Sequence, residues 1–225
     1  MATMITAWEV KRFSPAGRDY PEVNICEAIP HIEEAFGYSC LGEELYEYLL
    51  SVLSAYPESA PEYDADEEYD TDDVVVRHGC LYKSNIDCNR TDPVARDSEW
   101  SAVDRFTTEC ANELWTKYLR RILAFKVHQA VMVYDTQNSG AGGVTINLGE
   151  GYNQGSRAAN DTELARRQKR LEDDVNQTIE NMYRWMNKKI EAGECTALPL
   201  QSATACWSAM CKSPQRGIRR WAFRV

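Results

Sequence analysis

A chain of 225 residues with 44% apolar residues suits one main domain with an insertion, or two small domains, and can bury a core of its own. No apolar run approaches the roughly 20 residues that a bilayer span requires, so the sequence excludes a membrane-spanning protein. The formal net charge of -10 argues against a protein that wraps nucleic acid, because phosphate binding requires clustered Lys and Arg.

Two helical patterns occupy the first quarter of the chain. Apolar residues recur every three to four positions over 22–36, which predicts a helix that Gly37 ends. Pro30 lies inside this pattern, and a helix start near Pro30 is the alternative. The same spacing over 41–56 predicts a second helix that Pro57 stops.

The helical pattern disappears between Tyr56 and Asp73, where nine charged side chains occur and all are acidic. Such a composition is typical of an exposed loop or a partly ordered linker. The β-branched run at 74–76 and the segment 80–82 then predict two short strands. We interpret residues 74–100 as a small β-rich insertion.

Residues 107–133 return to helical spacing and are apolar nearly all round in their second half. This pattern predicts a buried central helix of roughly 40 Å. Glycines at both ends of 138–155 enclose an alternating segment at 144–148, which predicts one strand or half of a hairpin.

A second long helix follows this glycine-rich region. It is predicted to begin at a cap formed by Asn160 or Asp161, to run to about Ala192 and to close at Gly193. The remaining residues, 195–225, are interpreted as an extended arm with one short helix around 203–211.

These elements predict a mainly α protein. It consists of a helical bundle with long central helices, a short β-hairpin excursion, a small β-rich insertion and an extended C-terminal arm. The predicted divisions are 1–57 for the first part of the helical core, 58–105 for the acidic loop and insertion, 106–193 for the second part of the core with the hairpin, and 194–225 for the arm.

Few residues suit catalysis or metal binding. The three histidines are His31, His78 and His128, and no GxSxG motif occurs. His31 and His128 lie within helical patterns, where a surface or satisfied histidine is the simpler interpretation. His78 could join Cys80 and Cys88 at a metal, but a fourth ligand at suitable spacing is missing. We therefore expect no enzymatic activity, no metal and no cofactor.

The cysteines bear on the redox environment. The chain contains Cys26, Cys40, Cys80, Cys88, Cys110, Cys195, Cys206 and Cys211. An even number could form disulfide bonds in a secreted protein, but the first twelve residues hold no long apolar stretch and we expect no signal peptide. We therefore expect reduced thiols.

The C-terminal arm ends in a basic and aromatic segment. The last fourteen residues carry only basic charges, and Trp and Arg are enriched at interface anchors. Insertion into a partner protein is the favoured interpretation; a tail folded back on its own core and a contact with DNA phosphates are the alternatives. The candidate interface residues are Arg216, Ile218, Arg219, Arg220, Trp221, Phe223 and Arg224.

Five short motifs follow one another along the chain. They are CLGEELYEYLL at 40–50, LWTKYLRRILAFKVHQA at 114–130, GVTI at 143–146, TELA at 162–165 and YRWM at 183–186. In this order they resemble the head–tail connector (adaptor) proteins of tailed bacteriophages, whose subunits sit below the portal ring. The resemblance covers most of residues 20–190.

This resemblance implies a structural virion protein at the head–tail junction, assembled in the cytoplasm of a bacterial host. It implies a homo-oligomeric ring, a dodecamer, that joins capsid to tail and encloses the DNA channel. Its partners would be the portal protein, on which the arm docks, and a downstream nozzle, stopper or tube protein of the tail. Genomic DNA would pass without sequence-specific binding, since acidic groups lining a channel repel it.

The insertion carries a second resemblance. GCLYKS at 79–84, Asn89, Asp92-Pro93 and Trp100 resemble small carbohydrate-binding-like modules common in phage tail proteins, in which exposed aromatic rings stack on sugars. Tyr82 and Trp100 are accordingly candidates either for sugar binding or for the core of the module. The alternative function is a carbohydrate- or receptor-binding tail component that uses residues 79–100.

Overall fold

The structure, a computed structural model, describes residues 3–14, 21–55, 57, 60–78, 80–95, 98–138, 145–147, 156–158 and 161–211. The chain is mostly helical, which confirms the predicted mainly α class. The helices are α1 (Ala7–Phe13), α2 (Glu22–Phe36), α3 (Glu43–Ser51), α4 (Glu109–Leu114), α5 (Arg120–Asn138), α6 (Asp161–Ala192) and α7 (Leu200–Cys211). The strands are β1 (Val74–Arg77), β2 (Cys80–Ser84), β3 (Trp100–Ala102), β4 (Thr145–Asn147) and β5 (Ser156–Ala158). Within the described ranges, no helix combines the length and the apolar character that crossing a bilayer requires.

Helix α5 lies at the centre of the main core, as its apolar sequence predicts. Helices α1, α2 and α6 all pack against it. The described part of α6 buries one apolar stripe and exposes the opposite face. That stripe consists of Leu171, Val175, Ile179, Met182 and Met186.

Helix α2 differs from its prediction at both ends. It begins at Glu22 and includes Pro30, so the alternative start near Pro30 is wrong. Gly37 does not end it either, because the backbone stays helical there and continues through a π-helical turn, Gly37–Leu41. The chain leaves the helix only at Gly42, whose φ of 80° is in the left-handed region. The glycine at position 37 therefore has a packing role instead of a capping role.

Gly37 permits the close approach of a buried tyrosine ring. A Cβ atom at this position would lie 2.4 Å from Cδ2 of Tyr46. Because Tyr46 is buried, we expect Gly37→Ala to lower the free energy of unfolding by about 1–3 kcal/mol through overpacking. Urea denaturation followed by circular dichroism measures this change.

Gly193 supplies the matched control for this substitution. It has a φ of 68° and no atom within 4 Å of its Cβ position. Gly193→Ala therefore tests backbone strain without a clash, and we expect a loss of about 1 kcal/mol. A Gly37→Ala variant as stable as the native chain would contradict the packing role of Gly37.

Helix α3 ends earlier than predicted because long-range backbone pairing takes over. It stops at Ser51, and the predicted continuation to residue 56 is wrong. The Thr107 N–H donates to the Val52 carbonyl at 2.9 Å, and the Ser54 N–H donates to the Arg105 carbonyl at 3.0 Å. These bonds close the base of the β-rich insertion, so both of its connections lie beside the start of α4.

The central and C-terminal helices follow their predictions more closely. Helices α4 and α5 are joined by a second π-helical turn, Trp115–Leu119, into one continuous helical segment. Strands β4 and β5 pair as an antiparallel hairpin between α5 and α6. Helix α6 spans the predicted range and is followed by Gly193 in the left-handed conformation. Helix α7 begins three residues before the predicted start and packs against α3 and α6, with Leu198, Leu200 and Ala203 buried. The first part of the predicted extended arm is therefore part of the helical core.

The amino-terminal segment contains a helix that sequence periodicity does not predict. Helix α1 has 7 residues, too few to display a helical repeat. A capping box formed by Thr6 and Glu9 starts it. The residues before it, Met4 and Ile5, are fully buried. Residues 3–6, which we call the strap, are thereby fixed to the helical core.

The β-rich insertion is a three-stranded antiparallel sheet in the order β1-β2-β3. Strand β3 adds to the two strands that the sequence predicts. The acidic segment belongs to the same unit, because Tyr69 and Asn89 exchange backbone hydrogen bonds of 3.0 and 2.8 Å. Its turns are therefore part of an ordered module.

Candidate assembly surfaces

The residues predicted to bind the portal lie outside the described part of the chain. They are Arg216, Ile218, Arg219, Arg220, Trp221, Phe223 and Arg224. The structure therefore offers no position for them, and their role stays a prediction. The described chain nevertheless carries two charged surfaces and two sites that hold separate segments together.

The two aromatic candidates of the insertion lie in and against its core. Trp100 is 2% exposed, and its Nε1 donates to the Thr91 carbonyl at 2.9 Å. Its ring packs edge-on against Tyr69 and Tyr63, with centroids 5.6 and 6.2 Å away. Tyr82 is partly buried against the same cluster. A ring that stacks on a sugar must present a face to solvent, and Trp100 does not. Its burial agrees with the module-core alternative.

The acidic segment of the insertion presents a negatively charged surface. Its exposed carboxylates without an ion pair among the described residues define the acidic face: Asp64, Asp66, Glu67, Asp70 and Asp73. Three neighbouring carboxylates are paired instead. Glu62 pairs with Arg12 of α1, Glu68 with Arg90, and Asp72 with Lys83. The acidic face is thus held by an ordered support and directed to solvent.

Helix α6 carries a positively charged surface that the sequence analysis missed. The run RRQKR occupies positions 166–170, and Arg166, Lys169 and Arg170 are exposed. We call these three residues the basic patch. Within the described ranges, none of them takes part in an ion pair. A scan for dense basic runs would have found this segment.

The acidic face and the basic patch lie near opposite ends of one helix pair. The C-terminal part of α6 lies beside α4, because Trp185 Nε1 donates to Glu113 Oε1 at 3.1 Å. The insertion is attached at this same end. Arg170 precedes Trp185 by 15 residues of continuous helix, which corresponds to about 22 Å along the axis. The base of the insertion, which carries the acidic face, and the basic patch therefore lie at different ends of α6.

A buried polar cluster holds the strap. The Glu33 carboxylate accepts the Met4 N–H at 2.7 Å and the Ile5 N–H at 3.2 Å. The Arg105 guanidinium donates to the Thr3 carbonyl. Burial raises the pKa of Glu33 to about 7, although the two backbone N–H groups and Arg105 oppose this rise. Burial also raises the pKa of Glu9. The strap thus depends on carboxylates that are costly to ionise in place.

We expect the protein to lose stability as the pH rises from 4.5 towards 7. With its pKa raised, Glu33 binds a proton in the folded state over a range where the unfolded chain has released it. The free energy of unfolding should fall by about 2 kcal/mol across this window. Chemical denaturation at pH 5 and pH 7.5 measures the difference.

Substitution of Glu33 isolates its share of this pH dependence. Glu33→Gln should flatten the dependence, while Glu27→Gln, an exposed change on the same helix, should leave it intact. An unchanged slope in Glu33→Gln would contradict the assignment to this carboxyl.

A disulfide bond and an ion-pair cluster join the start of α4 to the end of α6. Cys110 and Cys195 are bonded, with their Cα atoms 5.6 Å apart, so the expectation of reduced thiols is wrong for this pair. The fold brings together two residues that are 85 positions apart, which sequence spacing cannot reveal. Nearby, Glu113 pairs with Lys117 at 2.6 Å and with Lys189 at 3.0 Å. These bonds lower the pKa of Glu113 to about 2, with Lys117 as the first cause.

The residues considered for metal binding do not gather. No group of three His, Cys, Asp or Glu side chains suited to a metal ion occurs among the described residues. Cys80 is half-buried and Cys88 is exposed. His31 is exposed on α2, and His128 is buried in α5.

No family model, curated protein or solved structure matches this chain. A functional interpretation consequently rests on the geometry described above and on the motif resemblance. The described residues provide two charged surfaces, a tethered amino-terminal strap and a disulfide bond between the start of α4 and the end of α6.

Proposed function

We propose that this chain is a non-enzymatic structural subunit of a tailed-phage particle, an adaptor that forms a ring beneath the portal. The observation that carries the proposal is the order of elements. Helices α2 and α3 precede a long helical segment, the β4–β5 hairpin follows, and the long helix α6 comes next. This is the order that the resemblance to adaptor subunits implies.

The proposed mechanical element is the helix pair formed by the α4–α5 segment and α6. Each spans roughly 45 Å at 1.5 Å per residue. Their shared apolar core and the bonds around Glu113 make the pair suited to carry load between head and tail. In the proposed bundle this pair is the rigid part, and the hairpin and residues 216–225 are the parts that reach neighbours.

The proposed assembly is a ring, a dodecamer, that encloses the DNA channel. Cyclic assembly requires a heterologous interface, in which one surface binds a different surface of the next copy. The portal protein lies above the ring and a nozzle, stopper or tube protein of the tail lies below it. Carboxylates facing the channel would repel passing DNA and prevent sequence-specific binding.

The Cys110–Cys195 bond bears on where the proposed subunit acts. Disulfides are rare in a reducing cytoplasm and persist outside the cell. A subunit assembled in the bacterial host would therefore carry free thiols at first. Once the virion is released, dissolved oxygen would accept the two electrons and two protons that the thiols lose as the bond forms. Thiol labelling of particles taken before and after lysis tests this order of events.

The oligomeric state tests the proposed function directly. Native mass spectrometry and negative-stain electron microscopy of the full chain measure it, with and without the portal ring of the same particle. We expect either closed rings under both conditions, or monomers alone and rings once the portal is added. A chain that stays monomeric under both conditions would refute the proposal.

Deleting residues 216–225 is expected to abolish attachment to the portal while leaving helicity unchanged. The deletion removes the predicted interface residues and none of the described core. Co-sedimentation with portal rings measures attachment, and circular dichroism measures helicity. The double variant Trp221→Ala/Phe223→Ala keeps all arginines and separates anchoring by rings from attraction by charge. Undiminished attachment of the truncated chain would refute the role of the arm.

A further inference from the structure

We propose that the acidic face of one copy binds the basic patch on α6 of the next copy, so that the subunits associate head to tail. The proposal rests on the proposed ring function and names the interface that such a ring requires. Its occupant is a second copy of this chain, and three features of the described chain support it.

The first feature is an exposed, unpartnered face at the start of α6. Arg166, Lys169 and Arg170 are exposed, and no described carboxylate lies within ion-pair distance of them. The first described residue of α6 that packs into the core is Leu171. The basic patch therefore precedes the first core contact among the described side chains of α6, and its exposed side chains are open to a neighbouring subunit.

The second feature is charge complementarity. Asp66, Glu67 and Asp70 are exposed on the insertion, and their side chains form neither an ion pair nor a side-chain hydrogen bond to other described residues. The turn that carries them is fixed by Tyr69 packing into the core of the insertion. These three of the five carboxylates of the acidic face stand on an ordered turn and are opposite in sign to the three cations of the basic patch.

The third feature is the separation of the two surfaces. They lie near opposite ends of the helix pair, with about 22 Å of α6 between Arg170 and Trp185 alone. Among the described residues, no ion pair joins the acidic face of a molecule to its own basic patch. Contacts between different surfaces of successive copies propagate around a ring, whereas a single self-complementary surface would stop at a dimer.

The charges beside the two surfaces favour a protein partner over nucleic acid. Asp173 and Asp174 are exposed on the same side of α6 as the basic patch, and they would repel a phosphate backbone. The acidic face in turn is bordered by Lys83 and Arg90, which pair with Asp72 and Glu68. Each surface is thus bordered by a pair of charges of the opposite sign. Asp173 and Asp174 beside the basic patch can face Lys83 and Arg90 beside the acidic face of the next copy.

Neutralised variants test the interface in the full chain. The first variant is Arg166→Gln/Lys169→Gln/Arg170→Gln, and the second is Asp66→Asn/Glu67→Gln/Asp70→Asn. Native mass spectrometry at low ionic strength should show self-association of the native chain and a loss of about tenfold or more in affinity for each variant alone. Raising the salt concentration should weaken the native association in the same direction.

Mixing the two variants provides the decisive measurement. The first variant keeps the acidic face without the charges of the basic patch. The second keeps the basic patch without the charges of Asp66, Glu67 and Asp70, so an equimolar mixture should form a one-to-one dimer and nothing larger. Circular dichroism checks that both variants keep the native helicity. Rings of unchanged size in both variants would overturn this interface and leave the ring proposal intact. A native chain that never self-associates, with or without the portal, would refute both the interface and the ring.

A third outcome would identify nucleic acid as the occupant. If the first variant keeps its oligomeric state but loses binding to a short DNA duplex that the native chain binds, the basic patch serves phosphate and the proposed contact between copies is wrong.

Discussion

Replacing Trp100 with alanine is expected to unfold the β-rich insertion while the main helical core stays folded. Trp100 is 2% exposed and forms the small core of the insertion with Tyr69 and Val75. Removing such a ring from a buried site costs about 3–5 kcal/mol, and this core has few other residues to compensate. Near-ultraviolet circular dichroism and limited proteolysis between residues 60 and 103 measure the loss.

The variant Trp100→Phe separates the ring from its hydrogen bond. It keeps an aromatic side chain and removes the Nε1 donor to the Thr91 carbonyl, so we expect a loss of about 1 kcal/mol. A Trp100→Ala protein with an intact insertion would contradict the core assignment. If that intact protein also lost binding to a glycan that the native chain binds, the carbohydrate-binding alternative would replace it.

Breaking the Cys110–Cys195 bond is expected to lower the free energy of unfolding by about 2–4 kcal/mol. The bond closes a loop of 85 residues, and without it the unfolded chain gains conformational freedom. It also fixes the segment that leads into α7, where Leu198 and Leu200 are buried. Guanidinium denaturation of the Cys110→Ser/Cys195→Ser protein measures the change.

Reductant and a distant cysteine provide the controls for this experiment. The native chain in dithiothreitol should unfold at the midpoint of the double serine variant, and that variant should not respond to the reductant. Cys88→Ser removes an exposed thiol of the insertion and should leave the midpoint unchanged. Identical midpoints for the native chain with and without dithiothreitol would show that the bond does not contribute.

Local signals were sufficient to predict several elements. Helix α6 was predicted over its observed range because one apolar stripe continues through it and because Gly193 adopts the left-handed conformation that commonly follows a helix. The hairpin was predicted from an alternating segment between glycines. In both cases the determining residues lie within a few positions of the element.

Other features depend on residues that are distant in sequence, and these were missed. The role of Gly37 is set by the Tyr46 ring, and the end of α3 is set by backbone bonds to Arg105 and Thr107. Strand β3 is held by its pairing with β2 and by the packing of Trp100 against Tyr69 and Val75. A pattern of hydrophobicity along the chain does not encode such pairings.

The charge composition of the candidate surfaces is predictable from the sequence, but their exposure and the disulfide bond are not. The acidic segment was recognised from its composition, and the structure adds that it forms one rigid face. The basic patch is present in the sequence as RRQKR, but only the fold shows that Arg166, Lys169 and Arg170 are exposed. The Cys110–Cys195 bond required the three-dimensional proximity of α4 to the end of α6.

The tethered strap has a practical consequence for purification. Met4 and Ile5 are fully buried, and Glu33 accepts hydrogen bonds from their backbone N–H groups. A polypeptide fused to the N-terminus must therefore reach solvent within the few residues that precede Met4. A bulky affinity tag at that end would be joined directly to a segment whose Met4 and Ile5 side chains are buried, and it would strain the contacts of the strap with Glu33 and Arg105. The opposite end carries the residues proposed to dock on the portal. Reconstitution experiments are therefore best performed with a cleavable tag that is removed before the subunit is mixed with its neighbours.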